Sequence, residues 1–252
     1  MADRRPTPEH GSLVSEVTEQ SRDVGARVQD AVETAVETVA EIVKPRLRGW
    51  NHVVLAPLAL AYGIVLVALT PPGAPRLSVA VFAAATVLLF GTSAVYHRGT
   101  WSPRVAAVLR RLDHSNIFLV IAGTYTPLAT LLLPAATARL LLIIVWSGAV
   151  AGILMRVLWL SAPRWLYVPI YVALGWVAVW FLPAFGRSGG PAVMWLVITG
   201  GLAYTLGALV YGLKRPNPAP RWFGFHEIFH VGTMLGYACH GIAVGIAAFA
   251  LR

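Results

Sequence analysis

From residue 51 onward the chain carries only two acidic side chains, Asp113 and Glu227, while apolar runs follow one another with short interruptions. Hydrocarbon cannot solvate a backbone amide, so a chain this apolar crosses a bilayer as helices or as a closed barrel. The runs are close to the ~20 residues that a helix needs to span a hydrocarbon core, far longer than barrel strands. Seven are read, at 52–70, 77–97, 113–133, 137–160, 166–185, 192–213 and 226–251. Between them stand Pro71-Pro72-Gly73, Pro134, Pro163, Gly189-Gly190-Pro191 and Pro216-Asn217-Pro218. Only 12% of the residues are charged, about half the ~25% of a soluble domain. The expected fold is therefore all-α: a polytopic membrane protein, a seven-transmembrane-helix bundle over residues 44–252.

Charge orients the bundle. Lys44, Arg46, Arg48, Arg98, Arg104, Arg110, Arg111, Arg156, Arg164, Lys214, Arg215 and Arg221 fall on the amino-terminal side of the membrane. Only Arg76, Arg139, Arg187 and Arg252 fall on the other. The positive-inside rule then places the amino terminus in the cytoplasm and the carboxyl terminus outside. Residues 98–112, with Trp101, Val105, Leu109 and Leu112 set against arginines, are expected to lie along the cytoplasmic interface. The net charge of +9 belongs to the membrane part, because nine of the 11 acids precede residue 50. Scattered arginines form no compact basic face, which argues against nucleic-acid binding.

Residues 1–12 are polar and read as disordered. From 13 to 43, Val17, Val24, Val28, Ala31, Ala35, Val39 and Ile42 recur at spacings of three and four, which predicts an amphipathic helix outside the bilayer. No apolar core with a cleavage site precedes residue 50, so the first membrane helix is expected to act as the targeting signal. Cys239 stands alone and forms no internal disulfide.

With that topology, three helix ends bring ionisable groups to one depth. His97 closes the second run, Asp113 opens the third, and His226 and His230 open the seventh, with Ser93 one turn deeper than His97. Such groups are costly inside a membrane and face the bundle interior. His226 and His230, four apart, share a helix face. With His97 they make a three-histidine set suited to Zn2+, leaving a fourth position for water. Asp113 could serve as general base, and Ser93 could hold the water or an oxyanion. Asp113 also suits a helix amino-terminal cap, and His97 an interfacial residue. His114 points about 100° away from Asp113 and is assigned a supporting or interhelical hydrogen bond. His240, about 15 Å beyond His230 along the helix, reads as a satisfied interior histidine. Gly123 to Pro127 should loosen or kink the third helix, either widening a cavity or aiding packing. Glu227 completes a literal H-E-x-x-H, the signature of zinc metalloproteases, which leaves His97 and Asp113 without a role.

Ser93-Ala94-Val95-Tyr96-His97, Asp113-His114-Ser115-Asn116-Ile117-Phe118, Ala122-Gly123-Thr124-Tyr125-Thr126-Pro127 and His226-Glu227-Ile228-Phe229-His230 resemble the signatures of the hemolysin III family. That family is grouped with the progestin and adipoQ receptors, seven-helix proteins with a zinc on the cytoplasmic side. The lead-in Lys44 to Trp50 and the closing Cys239-His240 fit as well. The resemblance implies zinc on His97, His226 and His230, Asp113 on the metal-associated water and Ser93 beside it. It implies an integral, multi-pass protein of a bacterial plasma membrane. It also points to a ceramidase-like hydrolase of lipid amide or ester bonds, with membrane lipids such as a ceramide as partners. Three other classes stand beside that expectation: a membrane-homeostasis sensor with structural zinc, a cytolytic hemolysin, and an intramembrane H-E-x-x-H metalloprotease.

Overall fold

The computed structural model describes residues 45–159 and 161–251, together with positions 20, 21, 24, 25 and 28. The disordered segment 1–12 and the amphipathic helix expected at 13–43 lie outside the described residues, apart from those five positions, which are helical and exposed. Residues 45–252 form a unit of their own, and the following concerns that unit.

Its helices are α1 (Trp50–Leu69), α2 (Ala74–Arg98), α3 (Pro103–Leu132), α4 (Ala135–Leu158), α5 (Arg164–Gly175), α6 (Leu182–Leu213) and α7 (Phe225–Phe249). A 3-10 segment, Trp176–Phe181, joins α5 to α6. Among the described residues there is no strand, only an isolated bridge between Ala219 and Phe223. Six helical stretches among the described residues are long and apolar enough to cross a membrane, with Arg164–Leu213 counted as one stretch of 50 residues. The surface agrees: Leu58, Ile64, Leu77, Leu140, Ile143, Leu154, Leu206 and Leu235 are all exposed. Many large apolar side chains facing outward on long helices are what lipid, rather than water, stabilises. The protein is a multi-pass membrane protein.

Proline and glycine set the boundaries. Pro75 and Pro103 occupy the first turns of α2 and α3, where a missing N–H costs nothing. The third helix begins ten residues earlier than the apolar run suggested. Residues 103–112, most of the segment expected to lie along the interface, form the first turns of α3, because nothing between Pro103 and Gly123 breaks a helix and its apolar residues already keep helical spacing. Nor does Pro127 end α3, which continues to Leu132. Gly123 serves packing: a Cβ there would come within 2.7 Å of the Ala85 Cβ on α2.

The 50-residue stretch is not one rod. Gly190 inside α6 adopts φ 83 and ψ 166, outside helical space and open to glycine at no steric cost. The Tyr167 and Tyr211 hydroxyls, at opposite ends of the stretch, lie 3.3 Å apart. The chain therefore reverses at Gly190. The 3-10 segment is held by Tyr125 of α3, whose hydroxyl donates to the Gly175 carbonyl (2.6 Å) and accepts from the Ala178 N–H (2.5 Å). Elsewhere the helices approach through small residues. A Cβ on Gly232 of α7 would meet the Ala203 carbonyl oxygen at 2.8 Å and the Gly207 Cα at 3.0 Å, so α6 and α7 touch backbone to backbone. Asn116 pins α3 to α2 by donating to the Leu88 carbonyl (3.1 Å) and the Thr92 hydroxyl (3.2 Å).

Candidate metal centre

One end of the bundle gathers most of the buried ionisable groups. α1 supplies His52, α2 Ser93 and His97, α3 Asp113 and His114, and α7 His226, Glu227 and His230. α4 and α5 bring Arg156, Tyr167 and Tyr171, and the end of α6 brings Tyr211. His97 and His230 are buried and His226 half-buried, placed by the last turn of α2 and the first two turns of α7.

His97, His226 and His230 offer one ring nitrogen each within 4.8 Å of one another. The Nε2 atoms of His97 and His226 are 3.3 Å apart. Two nitrogens bound at 2.0–2.1 Å in tetrahedral geometry stand about 3.3 Å apart, so that spacing fits a shared metal ion as well as it fits a hydrogen bond. A second observation points the same way: His230 Nδ1 is buried without a hydrogen-bond partner among the described residues. The three histidines form a buried cluster that could hold a metal ion.

Asp113 stands beside it, with Oδ2 3.7 Å from His97 Nε2 and 3.9 Å from His114 Nδ1. Ser93, one turn before His97, hydrogen-bonds the Asp113 carboxylate. All five residues singled out in the sequence thus meet at one place. Around them is a cavity of about 40 Å³, lined by Ser93, Asp113, His226, His230 and Tyr171 among others.

The three side chains left without a firm role have definite ones. His114 Nδ1 pairs with the Arg110 carbonyl one turn back on its own helix (2.8 Å), so its bond is intrahelical, while its ring edge faces Tyr167. His240 Nε2 pairs with the Val197 carbonyl at 3.1 Å, the satisfied interior histidine its position called for. Glu227 is fully buried and bound on both sides. One carboxylate oxygen pairs with Arg48, and the other accepts the Gly224 N–H at 2.8 Å, capping α7. A glutamate so engaged is a strut, poorly suited to act as a base.

The strut belongs to a clasp. Arg46 and Leu47 donate backbone N–H groups to the Arg221 and Trp222 carbonyls (3.0 and 3.2 Å), and the Arg46 guanidinium lies over the Trp222 ring. Gly49, at φ 79, turns the lead-in against α2, where a Cβ would come within 2.7 Å of the His97 Cβ. The segment before α1 is therefore tied to the segment before α7, directly outside the three-histidine cluster.

Sequence reasoning missed His52. Its ring is buried, stacks on His230 with centroids 4.0 Å apart, and has neither nitrogen partnered among the described residues. The available signal was a histidine four residues after Arg48, at the same end of its helix as His226. Arg156 was counted as a topology charge but is buried too.

The sequence profile of the family described as Haemolysin-III related matches residues 40–241. "Hemolysin-3 homolog" of Bacillus subtilis (strain 168) is 29% identical over 189 residues, 75% of this chain and 88% of that protein. "Hemolysin-3" of Bacillus cereus is 30% identical over 159 residues, 63% of this chain and 69% of that protein. The match takes in every residue of the site. The chain belongs to the Haemolysin-III related family.

Proposed function

We propose that this member of the family is a zinc-dependent hydrolase of lipid amide or ester bonds, acting at the cytoplasmic leaflet of a bacterial plasma membrane. Its helices make seven crossings, since the stretch reversing at Gly190 is long enough for two, with the amino terminus inside. The observation that carries the reading is the convergence of Asp113 and Ser93 on the three-histidine cluster. A closed structural site needs no free carboxylate beside it.

His97, His226 and His230 would hold the zinc, which supplies Lewis acidity and brings the pKa of a nearby water to about 7. Asp113, 3.7 Å from His97 Nε2, takes up the proton released when water attacks the acyl carbon, and returns it to the departing amine or alcohol. Ser93 holds the Asp113 carboxylate in place. The apolar walls, Leu89, Ile117 and Val168, keep bulk water out of the cavity.

The test is metal content and turnover on purified full-length protein. The wild type should retain one zinc per chain and release fatty acid from a ceramide or another acyl lipid. Asp113→Asn should keep the zinc and lose turnover by about 100-fold or more, the scale of general-base catalysis. Turnover unchanged in Asp113→Asn would remove it as the base.

A second reading has one observation in its favour. A cavity of about 40 Å³ holds about one water and no acyl chain, so hydrolysis requires α2, α3 and α7 to part. A sensor of membrane state with structural zinc requires no such opening. That reading expects zinc without turnover on any lipid, and cell phenotypes indifferent to Asp113→Asn and Ser93→Ala.

A further inference from the structure

Arg156, in the last turn of α4, is 2% exposed, and its Nε and Nη1 have no hydrogen-bond partner among the described residues. Its guanidinium carbon lies 4.3 Å from the centre of the Tyr167 ring, a cation–π contact that leaves the guanidinium N–H groups unused. Among the described residues of this unit the two acidic side chains are engaged elsewhere: Glu227 pairs with Arg48, and Asp113 faces His97 and His114. Neighbouring charges are of the same sign. Arg164 lies over the Tyr211 ring at 5.0 Å, and Arg110, Arg156 and Arg164 all fall within electrostatic range of the His114 ring. Tyr167, Tyr211 and His114 line the same cavity as Asp113, His226 and His230. Arg156 and Arg164 therefore stand behind two residues of that cavity's wall, Tyr167 and Tyr211, and Arg156 meets no carboxylate among the described residues.

We infer that Arg156, with Arg164 and the Tyr167–Tyr211 hydroxyl pair, is a binding site for a phosphate group. Guanidinium donors and phenol hydroxyls match the several acceptor oxygens of a phosphate. The site lies where α4 ends and α5 begins, at helix ends that the topology proposed above puts at the cytoplasmic face, so the phosphate is assigned to a lipid headgroup. The inference rests on the hydrolase reading only in one respect: it makes the lipid drawn to the metal cavity an anionic, phosphate-bearing one. Arg156 and Arg164 would anchor the headgroup while the acyl linkage reaches the histidines.

Binding is tested on full-length protein in nanodiscs of phosphatidylcholine, with or without phosphatidylglycerol, by native mass spectrometry of retained lipid. Wild type should retain phosphatidylglycerol preferentially, and Arg156→Gln should retain it about ten- to a hundredfold less, as expected for loss of a charge-assisted hydrogen-bonded contact. Arg156→Lys, which keeps the charge, should fall between them and controls for folding. Arg139→Gln, at the opposite end of the bundle, should match wild type. Added inorganic phosphate distinguishes the sources: a lipid site keeps its phosphatidylglycerol, whereas displacement at millimolar phosphate identifies a free-anion site built from the same residues. Equal retention by wild type and a folded Arg156→Gln overturns the inference. No turnover is read, so retained lipid without hydrolysis removes the proposed reaction and leaves this site. Hydrolysis of neutral ceramide without phosphate-lipid retention does the reverse.

Discussion

The two ends of the bundle use buried polar residues in opposite ways. At the end away from the histidines, hydroxyls are satisfied almost locally. Thr70 donates to the Leu66 carbonyl at 2.6 Å, Ser78 to Pro75 at 2.7 Å and Thr130 to Thr126 at 2.7 Å, each within its own helix. At the histidine end the partners come from other helices or distant segments: His97 with His226, Arg48 with Glu227, Ser93 with Asp113, Tyr167 with Tyr211, and the Tyr171 hydroxyl on the His114 carbonyl. A hydroxyl that bonds one turn back can sit anywhere in a membrane helix and says nothing about function. A local bond is open to some ionisable groups too, as His114 on the Arg110 carbonyl and Glu227 on the Gly224 N–H show. The second oxygen of Glu227 and the rings of His97 and His226, however, find their partners across helices. The lesson concerns the distance over which a polar group is satisfied, more than its polarity.

The sharpest way to break this contrast is to remove one of the three proposed zinc ligands. His97→Ala or His226→Ala should lower zinc affinity by more than the ~10- to 100-fold that loss of a supporting partner costs, read by competition with a chelator. His240→Ala, half-buried in α7 like His226 but bonded to Val197, should leave zinc content unchanged. If His240→Ala also emptied the protein of zinc, the site would not be confined to one end.

The clasp gives the next largest effect. Arg48→Met or Glu227→Gln leaves one side of a buried ion pair uncompensated, which costs about 3–5 kcal/mol, whereas replacing both partners by apolar residues is often near neutral. Unfolding titrations should therefore show the double variant Arg48→Met/Glu227→Gln, whose amide oxygen still accepts the Gly224 N–H, more stable than Arg48→Met alone. An H-E-x-x-H protease expects a different pattern: Glu227→Gln would abolish activity with stability intact, and Arg48→Met would do neither.

How much of this was legible beforehand follows the same division. Apolar runs and charge asymmetry revealed the helices and brought Ser93, His97, Asp113, His226 and His230 together, because burial of an ionisable group is visible as an exception in an apolar sequence. Helix starts were less legible. Residues 103–112 looked interfacial because their arginines hid a continuous helical period, and the Gly190 reversal lies inside what is otherwise helix. Glu227 was ambiguous, because three fixed letters matched a motif whose meaning depends on what faces the glutamate, and Arg48 is 179 residues away. His52 and Arg156 escaped for the opposite reason: each sits near a helix end, where a lone polar residue is ordinary, and only packing shows it to be buried.

The smallest effects belong to the opposite end. Thr70→Val and Ser78→Ala remove hydroxyls that bond within their own turn, so each backbone acceptor keeps its helical N–H donor. Both substitutions replace a satisfied buried hydroxyl with an apolar group, and the expected change in stability is within about 1 kcal/mol. Zinc content, turnover and phosphatidylglycerol retention should all match wild type. The two sites differ in one respect. Thr70 also offers its backbone carbonyl to Arg76 Nε at 2.9 Å, and a side-chain change leaves that carbonyl in place. Thr70→Val should therefore cost no more than Ser78→Ala. A loss of zinc in either variant would mean that the ends are mechanically coupled through α1 or α2, and that local satisfaction does not make a hydroxyl functionally neutral.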